Sequence, residues 1–194
     1  SVSTSSGFSF FGVFAMSDPI PESSLSPEYH IAIGVITVNG ALMDQLVETA
    51  IWMVLKMPPE RGVTVTKLIA NTSRKIQFLR DLLDPMFVDD EIRTDFHEVY
   101  SKLKSAQKNR SKIVHAKWVF KQSDGTIHIE LPLTEETLPV VEPMPLKQLQ
   151  RYGSEIATSH RALENFFLQA DIQVDTSGTY QWPPRTEGRK FHQK

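Results

Sequence analysis

The sequence predicts an all-α fold: a bundle of four main helices with a small β-hairpin after the third. Apolar residues recur at steps of three and four over long stretches free of proline. Pro58-Pro59 and Asp84-Pro85 end two of these stretches, and a short run of β-formers surrounds Ser123-Asp124-Gly125. At 194 residues, 40% hydrophobic and 23% charged, the chain suits one domain whose core needs no covalent staple.

Residues 1–25 read as a disordered extension, rich in Ser and carrying Pro19 and Pro21. Its aromatic cluster, Phe8, Phe10, Phe11 and Phe14, is interrupted by Gly12 and lacks the basic start of a secretory signal. Met16 is a candidate natural start. The helical domain is expected over 26–170. A flexible tail over 171–194 carries Gly178, Pro183, Pro184 and Gly188.

The first helix should open at Ser26-Pro27-Glu28, an N-cap residue followed by proline at the first helical position, and run to about Lys56. Ile31, Val35, Val38, Leu42, Leu46, Ala50 and Met53 mark one apolar face, and Ile33, Ile36, Val47, Ile51 and Leu55 make much of the remainder apolar. Such a helix belongs at the centre of a bundle, buried on two sides. Its polar strip holds Thr37, Asp44, Gln45 and Glu48.

A second helix is expected from near Thr64 or Thr66 to Asp84-Pro85, with Val65, Ile69, Thr72, Ile76, Leu79 and Leu83 inward. The third begins near Asp89-Asp90, acidic in its first turn and basic later, as the helix dipole favours. Lys117–Lys121 and Thr126–Leu131 form the hairpin. Pro132, Pro139, Pro143 and Pro145 then interrupt a connector of no regular period. The last helix runs from about Leu146 to Ala170 with Leu149, Tyr152, Ile156, His160, Leu163 and Phe167 inward.

The chain has no cysteine, which excludes disulfides, thiolate zinc sites, iron–sulfur clusters and cysteine nucleophiles. Gly34, Asn39 and Asp44 interrupt the longest apolar run, so no membrane span or membrane partner is expected, and the absence of cysteine fits a reducing cytoplasm, the location expected. No phosphate-cradling glycine loop, zinc-protease motif or nucleophile elbow is present, and six scattered histidines lack ligand spacing, so neither a cofactor nor a metal is expected. His128 and Glu130 alternate on a strand without the cysteines of a zinc deaminase. His160 reads as a core histidine, and Trp118 and Phe120 either stack on bases or pack on the bundle.

The basicity is concentrated between Val99 and Ser123. Lys102, Lys104, Lys108, Arg110, Lys112, Lys117 and Lys121 lie there without one Asp or Glu, in a chain of net charge −2. A local patch of this kind suits phosphate contact better than nonspecific coating of nucleic acid does. The apolar series Ile92, Phe96, Val99, Leu103, Ala106 continues through Arg110 to Ile113, which places a guanidinium on the stripe that faces the core. A buried guanidinium is costly unless it is paired or lines a cleft or an interface. His115 follows five residues on, about 140° away around an ideal helix. Either the helix ends between the two, or a second copy of the chain supplies the missing half of a site.

Arg110-Ser111-Lys112-Ile113-Val114-His115 near the end of a third helix, preceded by Asn109 and followed by a hairpin with Trp118, resembles the HEPN superfamily. That family's mark is Arg, four residues, His, and the architectural likeness covers residues 26–170. The resemblance implies a metal-independent endoribonuclease acting as a homodimer, of the kind found in defence and toxin–antitoxin systems, with Arg110 and His115 as the catalytic pair. The chain departs from the family at Ser111, where Asn, Asp or His is frequent, and at Lys117, where one toxin subclass has tyrosine.

The chemistry suits those residue types. Cleaving RNA without a metal takes a base for the 2′-hydroxyl proton and a cation for the phosphorane charge. Histidine titrates near neutrality, and arginine grips two phosphate oxygens at once. Asn109, Ser111 and Glu48 are candidate supporting residues, and Lys104, Lys108, Lys112 and Lys117 candidate phosphate contacts. The alternative is a non-catalytic helical module binding a partner protein, RNA or a nucleotide. In that reading Arg110 pairs with Glu48 inside the bundle and His115 caps the helix.

Overall fold

Chain-stopping residues set the boundaries of each element in the computed structural model, which describes residues 25–121, 126–131 and 140–169. The extension over 1–24, the Ser123-Asp124-Gly125 turn, the connector over 132–139 and the tail lie outside the described residues. Helix α1 (Pro27–Val54) starts with proline in its first turn after an extended Ser26. Lys56, at φ 53°, turns the chain away, and Pro58 and Pro59 reopen it as α2 (Pro59–Lys67). Helix α3 (Thr72–Leu83) begins where the Asn71 side chain accepts the Arg74 N–H at 3.0 Å. Helix α4 (Asp90–Val114) begins at Asp89, whose carboxylate accepts the Glu91 N–H at 2.8 Å, and ends where the His115 N–H donates to the Ser111 carbonyl.

Strands β1 (Lys117–Lys121), β2 (Thr126–Glu130) and β3 (Val141–Pro143) form an antiparallel sheet with β2 in the centre. Lys117 faces Glu130, and Ile129 faces Glu142. Helix α5 (Leu146–Gln169) closes the bundle against α1 and α4. Among the described residues the fold is thus all-α with one small sheet, as expected.

Three expectations are corrected. The single helix expected from Thr64 to Asp84 is two, α2 and α3, because Asn71 caps a new helix where the apolar stripe alone carried through. The hairpin gains a third strand, since Val141–Pro143 pairs with β2 within the connector. Helix α1 is long and apolar enough to cross a membrane by length and composition, with a mean hydropathy of 1.3 over its best window, against the expectation from its interruptions.

The core lies between α1, α3, α4 and α5. Ile36, Met43, Val47, Ile51, Leu83, Ile156, Leu163 and Phe167 are fully enclosed, and Phe87, Phe96 and Phe166 stack beside them at centroid distances from 5.3 Å. Ser159 is buried on α5, while His160 sits half-buried at the edge of the stripe. Trp118 packs edge-on against Tyr29 at 6.4 Å, and the Tyr29 hydroxyl donates to the Met144 carbonyl at 3.1 Å, which fastens the sheet to α1.

The face of α1 that periodicity puts first is the outer one in its first half. Ile31, Val35, Val38 and Leu42 remain 66%, 44%, 60% and 47% exposed, while Ala32, Ile36, Gly40 and Met43 face inward. Helix apolarity all round leaves the choice to the small residues, which let neighbouring helices approach. Gly40 is needed because Arg110 of α4 lies against its Cα. Gly34, in contrast, has no neighbour where a Cβ would stand, although a mid-helix glycine costs roughly 0.8–1 kcal/mol relative to alanine.

Candidate nucleic-acid interface

Arg110 continues the buried stripe of α4, as its spacing requires, and its stem crosses α1 at Gly40. The residue is half-buried, its Nε is fully enclosed, and it has no hydrogen-bond or ion-pair partner among the described residues. Glu48 does not meet it. Glu48 Oε1 and Asp44 Oδ1 instead hold the Lys75 ammonium of α3, at 2.5 and 3.2 Å. Burial pushes the Lys75 pKa down, but hydrogen bonds and charge from Glu48 and Asp44 outweigh it, and the pKa stands above the ordinary value. The acids on the polar strip of α1 are therefore satisfied by lysine, and the Arg110–Glu48 pair of the alternative reading does not form.

His115 is exposed at the end of α4, and no hydrogen bond or ion pair joins it to Arg110. Helix α4 continues through Val114 with His115 as its C-cap, so the two residues keep the roughly 140° offset of a helix and one protomer does not form a contiguous pair. Asn109 donates to Glu155 of α5 at 2.8 Å, and the Ser111 carbonyl receives the N–H that caps the helix. Both supporting residues thus fix the end of α4.

The four candidate phosphate contacts divide. Lys112 meets Glu142 of β3 at 2.5 Å, and Lys117 lies 3.4 Å from Glu130 across the sheet. Their charges are neutralised locally: Lys112 ties the sheet to the end of α4, and Lys117 joins β1 to β2. Lys104 and Lys108 are exposed, with Lys104 5.5 Å from the Tyr100 ring centre. On helix geometry Lys104, Lys108 and His115 lie within about 40° of one another, so His115 ends an exposed basic row rather than standing beside Arg110.

At the other end of that row is a cluster that sequence reasoning missed. His97 Nε2 lies 2.6 Å from Asp84 Oδ1, Arg80 Nε donates to Asp84 Oδ2 at 3.2 Å, and the Arg80 guanidinium rests 5.2 Å from the Tyr100 ring centre. Burial raises the Asp84 pKa, and hydrogen bonds and charge from His97 and Arg80 overcome this and hold it below the ordinary carboxylate value. The signal was Asp84 one turn after Arg80, hidden because Asp84-Pro85 read only as a helix stop. Among the described residues no group of three or more His, Asp or Glu is placed to hold a metal ion. No protein-family model, curated protein or solved structure matches this chain.

Proposed function

We propose that the protein acts on RNA as a HEPN-like, metal-independent endoribonuclease of a defence or toxin–antitoxin type, with Arg110 holding phosphate charge and His115 moving the proton. The observation that carries this reading is the state of Arg110. A half-buried guanidinium without a carboxylate partner is costly, whereas each acid on the facing strip of α1 is already taken by Lys75. An anionic ligand would supply the missing charge, and a phosphodiester is the ligand that a bidentate guanidinium grips best.

Lys104, Lys108 and His115 support the same reading as an exposed row along α4 that matches a polyanion. From Lys104 to His115 the row is roughly 16 Å long at the helical rise, enough for several nucleotides. Attack by the 2′-hydroxyl, with His115 as base or acid and Arg110 on the phosphorane oxygens, leaves a 2′,3′-cyclic phosphate on one fragment and a 5′-hydroxyl on the other. Because the two residues lie on different sides of α4, the scissile phosphate takes one group from each protomer of a homodimer. Single-stranded RNA incubated with the protein in EDTA should give fragments with cyclic-phosphate ends. Intact RNA at high enzyme excess contradicts the proposal and leaves a binding module.

A further inference from the structure

We infer that Arg80 of α3 and Lys104 of α4, on either side of Tyr100, form a second phosphate site, which holds the backbone of a single-stranded RNA at a distance from His115 and so sets how long a strand the protein needs. The inference deepens the RNA reading and rests on it for the choice of ligand.

Pairing separates the lysines of α4. Lys102 is taken by Glu98 at 2.6 Å and Lys112 by Glu142 of β3. Lys104 and Lys108 are exposed and have no carboxylate partner among the described residues. These two are also the lysines that share a line on the helix. His97 and His115 stand about five full turns apart, and Ser101, Lys104, Lys108 and Ser111 all fall within about 40° of the line between them. The line carries no acid, and its serines are short hydroxyl donors that let a strand lie close to the helix between the lysine stems.

At the His97 end a second helix adds a cation. Arg80 and Lys104 stand 5.2 and 5.5 Å from the centre of the Tyr100 ring, hence within about 11 Å of each other, close enough for neighbouring phosphates of one strand. Arg80 is held in place: its Nε donates to Asp84 Oδ2 at 3.2 Å, and His97 Nε2 lies 2.6 Å from Asp84 Oδ1. The side chain is still 38% exposed, so the guanidinium is oriented and remains open to a ligand. Asp81, the next acid on α3, accepts from the Gln77 amide, whose oxygen accepts the Tyr100 hydroxyl. Arg80, Lys104 and Lys108 outnumber Asp81 and Asp84, and this edge stays positive.

Spacing gives the consequence. From Tyr100 to His115 the helix rises roughly 22 Å, so a strand seated at His115 reaches Arg80 only when it is several nucleotides long. Shorter strands lose the second site and bind more weakly.

The experiment is fluorescence anisotropy of the whole chain with deoxythymidine strands of about 3 and about 12 nucleotides, from about 50 to about 300 mM salt. A deoxy strand keeps the phosphates but lacks the 2′-hydroxyl, so binding is read without cleavage. Arg80→Gln and Lys104→Gln should each weaken the 12-mer about threefold or more at low salt and make the slope of log K against log salt shallower by about 0.7, the value of one phosphate contact on a single strand. Lys102→Gln, whose ammonium Glu98 already holds, should change neither, and the 3-mer should bind all four proteins alike. Thermal melts show which variants fold, and Lys104→Gln, fully on the surface, carries the test if Arg80→Gln does not. A wild type that leaves the 12-mer unbound at 50 mM salt overturns the inference, as do slopes unchanged in both variants. A Lys102→Gln as weak as Lys104→Gln also overturns it, because diffuse charge then explains the binding, and so does tighter binding of a 12-base-pair duplex than of the single strand. The expected slopes together with RNA left intact would keep the phosphate site and remove only the nuclease reading.

Discussion

Arg110 of α4 lies directly against Gly40 of α1, so close that a Cβ on Gly40 would overlap its Cδ and Nε. The glycine gives the guanidinium a path between two helices that would otherwise close on each other. Gly40→Ala should therefore displace Arg110 and destabilise the protein by roughly 1–3 kcal/mol, the usual range for overpacking. Combining it with Arg110→Ala should recover much of that loss. Urea unfolding of the four proteins of the double-mutant cycle checks the coupling, and additive effects would refute the contact.

The lysine clamp behaves differently. Lys75→Met leaves Asp44 and Glu48 one turn apart, both largely covered and without their cation. A loss of about 2–3 kcal/mol is expected, below the 3–5 kcal/mol of fully buried pairs because the acids retain some water. The Lys75 pKa is raised in the folded state, so the clamp contributes fully below the ordinary value of 10.5 and is lost as pH rises through the folded value. Wild-type melting temperature should drop more steeply above pH 10.5 than that of Lys75→Met. Parallel curves would count against the clamp.

Gly62 packs under the Trp52 indole, whose Nε1 donates to Thr66 Oγ1 at 3.3 Å. The ring cannot bend away as an arginine stem can. Gly62→Ala should thus cost about 2–3 kcal/mol, at the upper end of overpacking, and shift the tryptophan emission. An unchanged melting temperature would show that α2 moves freely against α1.

An acid limb is expected from Asp84. Its folded pKa is depressed, so the contribution of the Asp84–His97–Arg80 cluster is present above the ordinary value of 3.8 and lost as pH falls through the folded one. Carboxyl titration by NMR should place Asp84 below 3.8 in the wild type and nearer to it in His97→Ala. No change would separate the two residues electrostatically.

Helix limits were legible wherever the sequence carries its own punctuation. Ser26-Pro27, Asp89-Asp90 and Leu146 begin helices within a residue of where they were read, because capping and proline geometry are local. Asn71 was the exception, a cap masked by an apolar stripe that continues on both sides of it. The inner face of α1 was not legible, since a helix apolar all round has no preferred side until Gly40 and Gly153 let partners approach. At the candidate site, the Arg110 stripe position followed from periodicity alone. That Asp44 and Glu48 would choose Lys75 over Arg110 depends on the tertiary placement of α3, which no spacing encodes.

The central claim is that Arg110 is kept for phosphate rather than for an internal acid. It is tested most directly by measuring RNA cleavage in EDTA and urea stability together for wild type, Arg110→Ala and His115→Ala. Removing a guanidinium that has no carboxylate partner strands no charge, so Arg110→Ala should change stability by no more than about 1 kcal/mol. Both variants should lose cleavage by at least about 100-fold, the scale of one general acid–base or charge-stabilising group. Wild-type protein that leaves RNA intact, variants that cleave as well as it does, or an Arg110→Ala that unfolds by several kcal/mol would contradict the claim.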